Sequence, residues 1–164
     1  AIDPQAEPPD RARWFGMDAP ALQAAVRQSP RFVHVVARTP QLEMLRWGLV
    51  NLGIDPGVPL AAERDTPRGK LAWRIAVRDG GAIDRDGALP TLIEWRGVHP
   101  TEGMPASPVQ LMAVTAGGLS TRAAAVLRLR GVEVSPAPLP RWQATLQSPA
   151  GHVTLTAWPD PPTQ

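Results

Sequence analysis

GALPTLIEWRGVHP, residues Gly87–Pro100, is the stretch from which the rest of the chain can be read. Its centre, Leu89–Trp95, is an apolar, strand-like run with a single acid, Glu94, set inside it. A similar stretch, HVTLTAW at His152–Trp158, recurs near the C-terminus with Ala157 in the place of Glu94. A second matched pair lies upstream of each: LAWRIAVR (Leu71–Arg78) and PRWQATLQ (Pro140–Gln147) align through Trp73 and Trp142. In the later pair Thr91 falls on Thr154, Leu92 on Leu155 and Trp95 on Trp158. An internal repeat of this length predicts two pseudo-symmetric modules that complete one core.

Working outward, each half shows the same order of elements. In the first, RFVHVVAR (Arg31–Arg38) is rich in β-branched residues and predicts a buried strand. Leu42, Leu45, Leu49 and Leu52 mark one helical face after Thr39-Pro40, and Gly53 stops that helix. Strands are then expected over Val58–Glu63, Leu71–Arg78 and Leu89–Trp95. In the second, a strand over Val109–Thr115 precedes a helix capped by Ser120, running to about Arg130 and ended by Gly131. Val132–Ser135, Arg141–Gln147 and His152–Trp158 supply the last three strands. The expected fold is therefore α+β: two β-α-β-β-β modules, over 31–107 and 108–164, with curved mixed sheets around a cleft and helices outside.

Residues 1–30 read as linker and a short helix. AIDPQAEPPD is polar and Pro-rich, Trp14 and Phe15 can pin it to the core, and Asp18 is placed to cap a helix over Pro20–Gln28 that Pro30 stops. Because the chain opens at Ala1 on such a segment, the expectation is a fragment or processed product, with residues 1–30 closing a preceding module.

Composition narrows the function classes. The chain has 164 residues, 43% of them hydrophobic, enough for a core without disulfides, and it has no Cys, which excludes thiolate metal sites and Cys nucleophiles. The net charge is only +2 and no run of basic residues occurs, so no nucleic-acid partner is expected. No apolar run approaches the roughly 20 residues needed to cross a bilayer, and no signal peptide is seen; no membrane partner and a cytoplasmic setting are expected. Gly80-Gly81 and Gly117-Gly118 match no phosphate-loop spacing, and Ser120 and Ser148 lack a nucleophile-elbow context.

LPTLIEWRGVHP, preceded by LAWRIAVRD and a Gly/Asp-rich loop, resembles the glyoxalase-like domains of the vicinal-oxygen-chelate superfamily, whose building block is the β-α-β-β-β module. The resemblance spans about residues 1–158. It implies a small molecule bound in the cleft and, in metal-binding members, ligands from the first and last strands of a module. On this chain those positions are His34 and Glu94; in the second module they are Met112 and Ala157. The resemblance also implies lyase, isomerase or dioxygenase-type chemistry on one divalent ion (Zn, Fe, Mn or Ni), with Glu94 moving the proton.

Strand alternation puts Phe32, His34, Val36 and Arg38 on one face of the first strand, and Leu92, Glu94 and Arg96 on one face of the last. If the more apolar face of each strand receives the helix, then His34, Arg74 and Glu94 line one concave surface. There Arg74 would hold a substrate anion or fix Glu94, and His99, in GVHP, could cap a ligand pocket. The plainer reading keeps His34 as a core histidine, Arg74 and Glu94 as a structural ion pair, His99 as a loop residue and the six tryptophans as core. The alternatives are thus a metal-assisted enzyme, a metal-free small-molecule binder, and a structural or dimerisation domain; a homodimer is expected if the cleft edges stay unpaired.

Overall fold

The computed structural model describes residues 10–83, 87–135 and 142–157; the expected linker over 1–9, Arg141 and Trp158 lie outside them. The elements run α1 (Pro20–Gln28), β1 (Val36–Arg38), α2 (Leu42–Val50), β2 (Val58–Thr66), β3 (Gly69–Val77), β4 (Thr91–Arg96), β5 (Gln110–Gly117), α3 (Thr121–Leu127), β6 (Glu133–Ser135), β7 (Trp142–Ser148) and β8 (Gly151–Thr156). Among the described residues this is an α+β fold of two four-stranded mixed sheets and three α-helices, with the β-α-β-β-β order in each half.

The helices form where the sequence expects them, with two adjustments at their ends. Proline opens α1, but Asp18 does not cap it: its carboxylate accepts from the Arg13 N–H at 2.7 Å and from the Arg13 guanidinium at 2.6 Å. Those bonds, the backbone one first, hold the Asp18 pKa below its ordinary value. Ser120 does cap α3, accepting from the Ala123 N–H at 3.2 Å, yet the helix stops at Leu127, before Gly131, because Arg128 turns into the left-handed region at φ 47°. The first strand is also shorter than expected. Only Val36–Arg38 pairs regularly, while Phe32 makes an isolated parallel bridge to Ala157, leaving His34 between the two.

One core joins the two halves. Leu42 and Leu49 of α2 pack with Ala76, Leu89 and Leu92 of the first half and with Leu119, Ala123 and Leu127 of the second. A second cluster forms around Trp142, Ala116 and Ala157, and Phe32 and Val35 pack into it from the first half. The Trp142 indole N–H donates to the Gly87 carbonyl at 2.8 Å, so the opening stretch is anchored to the far sheet at its first residue.

The strand orders differ between the halves. The first sheet is ordered β1-β4-β3-β2 and the second β6-β5-β7-β8, so the first strand of a half lies beside its last strand in one case and beside its third in the other. The matched hairpins differ in register as well. Trp73 faces Trp95 directly, whereas the Ala157 N–H donates to the Trp142 carbonyl at 2.8 Å and Gln143 faces Thr156. Trp142 therefore stands opposite Ala157 and not opposite the next residue. The repeat survives as an order of elements, but not as a set of equivalent pairings.

Candidate ligand-binding face

The first sheet has two unlike faces, and α2 sits on the one the sequence reading did not choose for β3 and β4. Leu92 and Ala76 point into the cluster built on α2, and Ala37 packs against it. By alternation Arg74 and Glu94 share that side. Ile75, Val77 and Ile93 point the other way, into a cluster with Trp73, Trp95, Trp14 and Phe15. The expectation that the more apolar face receives the helix holds for β1, whose Ala37 side meets α2, and is corrected for β3 and β4. Small residues such as Ala37 and Ala76 let α2 approach closely, while the bulky face is covered at one end by the short turn Trp14–Gly16.

This reversal separates the residues expected to line one surface. The His34 Nε2 lies 2.9 Å from the Thr91 hydroxyl, and Thr91 shares its side of β4 with Ile93 and Trp95. The His34 ring stacks on Phe15 at 5.0 Å between centroids, and the Phe15 backbone adopts the uncommon left-handed conformation at φ 65° as it lays its ring there. Arg74 and Glu94 do meet, as expected, but on the α2 side. The Arg74 Nε and Nη2 donate to one oxygen of Glu94, at 2.9 and 2.5 Å, and Glu43 of α2 approaches Nη1 at 3.4 Å.

A shared ion between His34 and Glu94 would need both donors aimed at one point. Their side chains leave opposite faces of the sheet, Glu94 is engaged by Arg74, and the His34 Nε2 by Thr91. These residues do not fit a joint metal site within one chain. Nor do any three His, Asp or Glu side chains gather as a ligand set among the described residues. At the positions matched to them in the second half, Met112 is exposed beside a bulge and Ala157 is buried against Trp142.

What the structure does bring together lies on the face turned away from α2. At its closed end, His34 and Thr91 border a cavity of about 20 Å³, the size of about one water, walled also by Phe15, Pro56 and Gly81. The His34 Nδ1 is buried and unpartnered among the described residues. Burial pushes the His34 pKa down to about 4, so the ring is neutral near pH 7 and has one hydrogen-bonding nitrogen left beside the cavity. At the open end, Trp73 and Trp95 are half-buried with ring centroids 5.2 Å apart. His99 lies edge-on to Trp95 at 5.4 Å. Its Nδ1 accepts from the Thr101 N–H at 3.3 Å, and the Glu102 carboxylate accepts from the His99 N–H at 3.1 Å, closing a capping box over the turn Pro100–Gly103.

The sequence matches the glyoxalase-like domain family over residues 1–147. The chain is a glyoxalase-like domain of the vicinal-oxygen-chelate superfamily. No curated protein and no solved structure matches it. In this glyoxalase-like domain no helix among the described residues is long and apolar enough to cross a membrane.

Sequence reasoning assigned the tryptophans to the core and so missed Trp73 and Trp95 as surface; it also gave no site role to Thr91 or the exposed Trp47 of α2, whereas Phe15 does pin the N-terminal segment to the core as expected. The available signal was that LAWRIAVR and TLIEWR each place a tryptophan at the strand end away from the buried Ile75 and Ile93. His99 was expected at the rim of a pocket and stands against Trp95. Arg74, expected to read a ligand, is turned to the α2 side.

Proposed function

We propose that this glyoxalase-like domain binds a small molecule on the face of its first sheet turned away from α2, between the His34–Thr91 pair and the Trp95–His99 contact. The observation that carries this reading is the Trp73–Trp95 pair, left half-exposed on a face whose neighbours are apolar. Val58, Leu60 and Val36 extend that face and are 56%, 45% and 41% exposed. Apolar surface in water is unfavourable by about 25 cal/mol per Å², and a contiguous patch of it commonly marks a binding site. The neutral His34 supplies one polar contact at the closed end, where a buried donor or acceptor without a partner costs about 1–3 kcal/mol. A bound polar atom offsets that cost. His99 borders the open end, and the Arg74–Glu94 pair acts from the opposite face as support for the sheet.

The test is a nuclear magnetic resonance screen of the whole chain against a mixed library of small organic molecules. The indole N–H signals of Trp73 and Trp95 are assigned with W73F and W95F. Library members that move these two signals, and leave Trp47 on α2 unmoved, are the expected outcome. A library that moves neither signal sinks the reading.

A further inference from the structure

The charges that border this face narrow what it binds, provided the face is the binding surface proposed above. Antiparallel and parallel partners in a sheet point to the same side, so the pairing registers place every side chain of the first sheet on one face or the other. The face away from α2 carries Val58, Leu60, Ala62 and Arg64 from β2, opposite Val77, Ile75, Trp73 and Leu71 of β3. From β4 it carries Thr91, Ile93 and Trp95, and from β1 Val36 and Arg38, opposite Thr91 and Ile93. Glu63 and Asp65 of β2 and Glu94 of β4 all fall on the other face. No carboxylate occupies a strand position on this face, and the two formal charges at its strand positions are both arginines.

Those arginines stand at the two flanks of the tryptophan pair. Arg38, level with Ile93, is the diagonal neighbour of Trp95, and Arg64, level with Leu71, is the diagonal neighbour of Trp73. Diagonal neighbours on adjacent strands lie about 7–8 Å apart, within reach of an arginine side chain. Both arginines are exposed. β1 and β2 are separated by β4 and β3, so the flanks are about 14 Å apart across the sheet, which leaves a flat body room between them. Beyond Trp95 the surface is bounded by His99. There the β2–β3 turn meets the turn Pro100–Gly103, since a Cβ on Gly103 would come within 2.9 Å of the Arg68 guanidinium.

We infer that the ligand is a flat aromatic anion, an aromatic carboxylate, whose ring lies on Trp73 and Trp95 and whose acid is held at the edge by Arg38 or Arg64. Aromatic rings gain from offset or edge contacts with tryptophan beyond the area they bury. A guanidinium matches a planar carboxylate with two parallel hydrogen bonds. No acid at a strand position of the face competes for the arginines, and the carboxylate at its border, Glu102, already accepts from the His99 N–H.

The probes are 2-naphthoate and its uncharged counterpart 2-naphthalenemethanol, titrated into the whole chain by calorimetry and followed at the Trp73 and Trp95 indole N–H signals. Expected is about tenfold tighter binding of 2-naphthoate, lost in R38Q/R64Q while the alcohol binds as before. Both residues are exposed, so this variant keeps its fold, and a thermal melt of it checks that. Raising the salt from 0.05 to 0.5 M should narrow the gap. Equal binding of the two probes, with both indoles shifted, overturns the anionic class and leaves the binding face standing. If neither probe moves Trp73 or Trp95 while other library members do, the aromatic class is overturned and the face again stands. If nothing tested moves either indole, the inference falls together with the reading it rests on.

Discussion

The hairpins β3–β4 and β7–β8 begin from matched sequence and end in different surroundings. Trp73 faces Trp95 at the half-exposed end of one sheet, while Trp142 faces Ala157 in the fully buried centre of a core. One residue of register separates them. Because side chains alternate with a period of two, that single step exchanges faces. In the first hairpin the tryptophans become surface and Glu94 finds Arg74. In the second the tryptophan becomes core, and the position matched to Glu94 becomes an alanine with no room for a carboxylate. Matched sequence preserved the order of elements, and register decided which copy offers a surface.

The difference can be broken most severely at the twin of Glu94. Ala157 is 3% exposed and packs with Trp142 and Ala116, so Ala157→Glu buries a charge among apolar side chains. The expected loss is several kcal/mol, on the scale of about 3–5 kcal/mol for an uncompensated buried charge. Urea titration should find a chain that is largely unfolded or that folds only at low pH, where the carboxyl is neutral. A near-neutral effect would mean that the second hairpin is open like the first. Next in size is Trp142→Ala, expected to cost about 3–5 kcal/mol because the ring is fully buried and donates to Gly87. The partly exposed Trp73 should cost only about 1–2 kcal/mol on truncation to Ala, since part of its area is already in water. Equal losses at the two positions would erase the asymmetry between the hairpins.

Much of this was legible in the chain itself. Period-two alternation in LAWRIAVR and leucines at helical spacing in Leu42–Leu52 located β3 and α2, and Gly53 stops α2 as expected with φ 72°. What alternation leaves open is which face a helix covers. That depended on the fit of α2 to the small residues Ala37 and Ala76, a property of three elements at once. The Arg74–Glu94 pair was readable because both residues sit in strands adjacent in sequence. His34 lies on the side that alternation gives it, with Val36 and Thr91, although regular pairing begins only at Val36; the expected cluster failed because Arg74 and Glu94 turned to the α2 side. Repeat matching could not foresee the slipped register or the exchange of strand order, since both arise from contacts between the halves, such as Phe32 with Ala157.

His34 sharpens the contrast between the two faces through pH. Its folded pKa is lowered by burial to about 4, against 6.5 for an unperturbed imidazole. As pH falls below 6.5 the unfolded chain takes up the proton first, so stability present at neutral pH is lost progressively between pH 6.5 and 4. By pH 4.5, two units below the unfolded value, the expected loss from this group is between about 2 and 3 kcal/mol, at about 1.4 kcal/mol per pH unit. Urea midpoints of the wild type and of His34→Gln, compared at pH 7 and 4.5, isolate it, because the variant lacks the titrating ring. The same loss in both proteins would show that His34 is open to water.

The smallest expected effect, and the one that best separates the two faces, is at Glu94. The Arg74 and Glu94 side chains are 28% and 20% exposed, between a solvated surface pair and an enclosed one. Both Arg74 nitrogens bind one carboxylate oxygen, without the two-on-two fork that strengthens such pairs. Glu43 also stands by to share the guanidinium. A double-mutant cycle of Arg74→Ala and Glu94→Ala should therefore give a coupling of about 1 kcal/mol, near the upper end for exposed pairs. Glu94→Gln should leave ligand-induced shifts of the Trp73 and Trp95 indole signals unchanged, because Glu94 points to α2 and the tryptophans point away from it. Loss of those shifts in Glu94→Gln, with the fold intact, would mean that the faces act together and that the acid in LIEW belongs to the site after all.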